Sequence, residues 1–179
     1  MKDFRDWLRG TLRILVVILF GISLYWIGFS VWGCRAVAEY NKGYGVFGMH
    51  FYTVESAAYV LFFMKPEGYE AYYQYLMGDT LFIASLAALQ VMLANVAFSK
   101  RTRDGMYKLL IRFTVLRGIC DLVENTCIYY VLKTFPEFKE IAVNAASIAT
   151  LGKYISLAPW LVLILSAFLK KWSLARRRW

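Results

Sequence analysis

Apolar residues fall in four long stretches along this chain. Ile14 to Cys34 contains no charge, and Thr80 to Ser99 is also uncharged, with Gln90 and Asn95 its most polar members. Leu109 to Leu132 is apolar except for a cluster of charged side chains, and Ile141 to Leu169 has one charge, Lys153. Each stretch reaches the ~20 residues that a helix needs to cross ~30 Å of hydrocarbon. The pattern predicts an all-α polytopic membrane protein: one domain, residues 1–179, with four transmembrane helices over about 14–34, 78–99, 107–132 and 141–169. Lys2, Arg5 and Arg9 give the first stretch a basic head, as in a signal peptide. Its apolar run exceeds the about 7–15 residues of a signal core, so a retained span is expected.

Residues 35–79 form the one sizeable loop in this reading. Within it Thr53 can cap a short helix over about 53–64, with Glu55 and Ser56 in the first turn and Lys65-Pro66 as its stop. That length is too short to span, so the segment is expected to lie at the outer interface. Tyr69, Tyr72, Tyr73 and Tyr75 follow and suit a tyrosine belt at headgroup level, since each pairs an apolar ring with a polar tip.

Charge sets the expected orientation. Thirteen basic residues precede the first span, join the second to the third, or follow the fourth; with Asp3, Asp6 and Asp104 they leave that side at +10. The loop side balances at −1. By the positive-inside rule both termini are expected on the cytoplasmic or matrix side of a plasma or energy-transducing membrane, the bacterial or mitochondrial inner membrane. The +9 net charge then speaks to lipid headgroups, and no nucleic-acid partner is expected.

The third stretch holds the candidate chemistry. At about 100° per residue Arg117, Asp121, Glu124 and Asn125 share one helical face. An ionised group at bilayer depth costs at least ~2.5 kcal/mol, so these side chains must face partners or a wet cavity. Counting about 1.5 Å per residue from Leu76, Lys133 and Ile141 as outer ends puts Asp121 and Lys153 both about 18 Å deep and Asp79 about 5 Å deep. Lys153 is therefore expected to meet Asp121, which Arg117 also reaches one turn away. Asn144, Ser147, Thr150 and Tyr154 add hydrogen-bonding groups on the fourth span, where Pro159 should introduce a kink. The candidate polar or ligand-binding set is Asp79, Arg117, Asp121, Glu124, Asn125, Thr150, Lys153 and Tyr154. Two readings stay open: a neutral ion-pair network that fixes helix register, or a cavity for a lipid headgroup, small amphiphile, ion or proton.

Catalytic and cofactor signals are thin. His50 is the only histidine, there is no Gly-rich phosphate loop, and no nucleophile elbow occurs. Asp121-x-x-Glu124 has metal-ligand spacing, but Arg117 and Lys153 favour charge pairing there. Cys34, Cys120 and Cys127 form no Cys-x-x-Cys and read as packing residues. No catalytic residue, metal site or cofactor is assigned; a bound lipid is expected.

Asp121-Leu122-Val123-Glu124-Asn125, with Gly78-Asp79-Thr80-Leu81-Phe82 and Ala149-Thr150-Leu151-Gly152-Lys153, resembles a group of four-helix integral membrane proteins of bacterial type with an Asp-x-x-Glu-Asn signature on the third helix. The resemblance runs from Thr53 onward and implies the fold and the site residues, but no activity. The expected function is that of a non-enzymatic accessory or structural subunit of a larger membrane complex, packing against partner subunits and membrane lipids. The alternative is a membrane-embedded enzyme or carrier for a lipophilic substrate, with Asp121 and Glu124 as acid and base and Arg117 or Lys153 holding an anionic group.

Overall fold

The computed structural model describes residues 2–98 and 105–176. Among them the chain is helical throughout, with no strand: α1 (Lys2–Phe29), α2 (Cys34–Tyr40), a single 3-10 turn (Phe47–Met49), α3 (Val54–Phe62), α4 (Pro66–Ala97), α5 (Met106–Thr134) and α6 (Glu140–Arg176). Arg9–Tyr40, Pro66–Ala97 and Glu140–Lys170 are long and apolar enough to cross a membrane. α5 has the length, at 29 residues, but buries Arg117, Asp121 and Glu124.

The first helix stops where serine competes with the backbone. Ser30 Oγ donates to the Trp26 carbonyl at 2.6 Å and accepts from the Trp32 amide at 3.2 Å, drawing the chain out of the helix. Gly33 completes the turn, because a Cβ there would lie 2.8 Å from the Ile27 carbonyl oxygen. The sequence pattern carried the first span through to residue 34; the structure divides this region into α1 and α2.

The second long helix is also longer than its apolar stretch. α4 begins at Pro66, twelve residues before the expected start at 78. Proline ends the preceding helix and also starts this one, since its fixed φ and missing N–H suit the first helical position. The tyrosines thus ride on α4, and Tyr72 and Tyr75 are buried rather than part of a headgroup belt. Ahead of it, α3 forms as its cap predicts: Ser56 N donates to Thr53 Oγ1 at 3.3 Å and Thr53 N to Ser56 Oγ at 2.9 Å. α6 runs through Pro159 without ending.

Neighbouring long helices are antiparallel. Trp26 meets Gly78 while Ser23 Oγ and Ser85 Oγ lie 2.7 Å apart, which runs α1 against α4. Asp79 meets Asn125 and Ile83 meets Arg117, reversing α4 against α5. Glu124 meets Thr150 and Cys120 meets Gly152, reversing α5 against α6. Lys2 and Arg176 therefore lie at the same end of the bundle. Of the small residues on α4, Ser85 is buried against α1, whereas Ala84 and Ala88 face outward.

The core is split in two. At the loop end Phe47, Tyr52, Leu61, Tyr72, Ile128 and Val143 belong to one apolar cluster; at the terminal end Ala94, Ala97, Leu110, Trp160 and Ile164 form another. Between them most of the buried side chains are polar, Ser85, Gln90, Thr114, Arg117, Asp121, Glu124, Thr150 and Ser156, with Ile83 and Ala149 as apolar members. The outside is the reverse, with exposed Ile18, Ile22, Leu116, Ile119, Ile148 and Val162 among many.

The α1–α4 contact depends on Gly78, where a Cβ would run into the Trp26 ring at Cδ1. Gly78→Ala is expected to cost roughly 1–3 kcal/mol through overpacking. Gly21→Ala, at a helical position with nothing within 4 Å, should be neutral or slightly stabilising. Thermal unfolding of the two variants in detergent micelles checks the contrast.

Candidate functional site

The buried positions of α5 are Leu110, Thr114, Arg117, Asp121, Glu124, Ile128 and Val131, with Leu132 beside them. Their spacing alternates four and three, the seam a helix presents when it packs between neighbours. Apolar residues occupy the two ends of this seam and charges its centre. Arg117 Nη1 lies 2.6 Å from Asp121 Oδ2 one turn along the helix. Its Nη2 donates to the Ile83 carbonyl of α4 at 3.5 Å.

From α6, Lys153 Nζ lies 2.6 Å from Glu124 Oε2 and 3.6 Å from Asp121 Oδ1. Thr150 Oγ1 donates to the other Glu124 oxygen at 2.7 Å. Depth counting paired Lys153 with Asp121; the structure makes Glu124 its nearer partner. Asp79, expected near the outer surface, stands thirteen residues into α4 because that helix starts at Pro66. There it accepts from Asn125 Nδ2 at 2.7 Å. Tyr154 stands at the exposed rim with Lys153 Nζ 5.7 Å from its ring centre, while Asn144 faces outward.

Three residues outside the sequence-derived set complete the arrangement. Gly48, in the 3-10 turn, lies directly over the Glu124–Lys153 pair: a Cβ there would be 2.8 Å from Glu124 Oε1 and 3.0 Å from Lys153 Nζ. Tyr72 anchors that turn by accepting from the Phe47 amide at 2.7 Å, and Tyr154 donates to the Gly48 carbonyl at 3.3 Å. Tyr52 is buried beside the same carboxylate. Its hydroxyl has no hydrogen-bond partner among the described residues, and neither do Arg117 Nε and Gln90 Oε1. Burial first, and then the charge of Glu124, pushes the Tyr52 phenol well above its ordinary value. A void of about 10 Å³ between Phe47, Tyr52, Ile128 and Val143 is at most water-sized. Side-chain exposure falls from 17% at Lys153 to 1% at Glu124, so the carboxylate is sealed and the ammonium is the more open end of the pair.

Chemically this is a closed salt-bridge network. Asp121 and Glu124 are engaged by cations, which leaves them poor metal ligands, and among the described residues no group of three or more His, Cys, Asp or Glu converges on one point. Cys34, Cys120 and Cys127 are free thiols, and Cys120 packs against Gly152. A position such as Gly48 carries no sequence signal, since its role comes from a contact made across the fold.

Gly48→Ala is expected to push the 3-10 turn off the ion pair and cost roughly 1–3 kcal/mol, seen as a lower Tm. Tyr52→Phe removes an unpartnered hydroxyl and should leave neutral-pH stability unchanged or slightly higher. Because the folded Tyr52 holds its proton above the unfolded value near 10.0, stability should fall as pH rises past that value. Tyr52→Phe should flatten that fall, measured by chemical unfolding across alkaline pH. In comparisons with known proteins, no family model, no curated sequence and no solved structure matches the chain.

Proposed function

We propose that this protein is an integral membrane component in which α1, α4, α5 and α6 all cross the bilayer, with both termini on the cytoplasmic or matrix side. It acts as a non-enzymatic accessory or structural subunit that packs against partner helices and lipids. One observation carries this reading: the four central charges neutralise one another and Gly48 covers the Glu124–Lys153 pair. A network with its charges matched and its outer face filled by backbone is suited to fixing helix register. The apolar exterior supports insertion, as does the gathering of both basic termini at one end.

The second reading, an enzyme or carrier for a lipophilic substrate at the same cluster, is favoured by the unpartnered Tyr52 hydroxyl and Arg117 Nε. A bound oxygen-bearing group would satisfy both kinds of donor.

A double-mutant cycle separates the two. Glu124→Gln leaves Lys153 with its more distant carboxylate alone and is expected to cost roughly 3–5 kcal/mol. Adding Lys153→Met should recover most of that loss. Recovered stability with partner association intact, read by native mass spectrometry after mild extraction, supports the structural subunit. Recovered stability with loss of a bound amphiphile from a lone protein supports the alternative.

A further inference from the structure

α2 ends in a left-handed turn in which the Gly43 amide donates to the Ala38 carbonyl at 2.8 Å. Lys42 occupies the left-handed position with φ 58, a conformation that suits glycine and disfavours a side chain. The loop is clasped firmly: Asn41 Nδ2 donates to the Gly45 carbonyl at 2.6 Å, and the Gly45 amide donates to Asn41 Oδ1 at 2.9 Å. The lysine ammonium is held 3.4 Å from the centre of the Phe63 ring and 6.0 Å from that of Tyr59. Among the described residues no carboxylate pairs with it. It borders a surface cleft of about 460 Å³ lined by Asn41, Lys42, Tyr44, Tyr59, Val60 and Phe63. Phe62 beside it is 73% exposed.

We propose that this cleft binds the phosphate of an anionic phospholipid headgroup in the outer leaflet. Lys42 supplies the positive charge, the exposed Tyr59 hydroxyl a hydrogen bond, and Phe62 and Phe63 the apolar contact for the acyl chains. The cation is preset over the aromatic pair, so little side-chain freedom remains to be lost on binding. A lysine at a position that suits glycine is then explained by the ligand it holds. The assignment rests on the membrane reading above.

Native mass spectrometry of the full chain released from phosphatidylcholine nanodiscs containing phosphatidylglycerol tests it. Lys42→Gly is expected to keep or raise Tm, to lower phosphatidylglycerol retention about five-fold and to leave phosphatidylcholine retention unchanged. Lys42→Arg should retain the lipid. Equal phosphatidylglycerol retention by folded Lys42→Gly overturns the proposal. A Tm lowered by Lys42→Gly also overturns it, since the lysine would then serve to strap the loop onto Phe63. Displacement of the lipid by inorganic phosphate assigns the site to the free anion and overturns the lipid assignment. A protein recovered in the aqueous phase with no lipid of either kind overturns the membrane reading, and the inference with it.

Discussion

The contact between Glu124 and Lys153 holds the centre of this molecule together. Charges as deeply buried as these are tolerated when each finds an opposite charge and further hydrogen bonds. Glu124 has an ammonium on one oxygen and the Thr150 hydroxyl on the other. Asp121 bridges Arg117 and Lys153, and Arg117 continues to the Ile83 carbonyl of α4. Three helices are therefore joined through one polar junction, and a slip of any by a single turn would strand a charge. The 3-10 turn meets the same junction, since a Cβ on Gly48 would fall 2.8 Å from Glu124 Oε1 and 3.0 Å from Lys153 Nζ.

This junction lies in a polar waist between two apolar clusters, while the outside is apolar around the helices. Water-soluble bundles distribute their residues the other way round, with an apolar stripe inside and charges facing solvent. Hydrophobic burial alone gives helices in lipid little reason to associate, whereas polar contacts between them do. On the proposed reading, the waist is what draws α4, α5 and α6 into register.

Much of this was legible from residue spacing. The apolar stretches located the long helices, the Thr53–Ser56 pair located α3, and Arg117, Asp121 and Glu124 fell on one face that the structure buries. What escaped were features whose cause is nonlocal or two-sided. Pro66 reads as a stop yet also starts α4, and that ambiguity misplaced Asp79 along its helix by nearly three turns. Depth counting then favoured Asp121 over Glu124 for Lys153, since a difference of three residues lies within the uncertainty of an assumed helix end. Gly48, Tyr52 and Tyr72 reach the junction only after the loop folds back over α5 and α6, so neither spacing nor composition marks them.

The order of these residues along the chain bears on how the protein is made. Arg117 carries its own counter-charge one turn away, so that pair is neutral as soon as α5 winds. Glu124 has to wait, because Lys153 is translated 29 residues later. In a bilayer, α5 alone would carry an unmatched carboxylate at its centre, a state that resists insertion. On the proposed reading, α5 and α6 would enter as one helical hairpin, after the segment bearing Gly48 has been synthesised. On that reading the salt bridge would set the order of assembly as well as the final register.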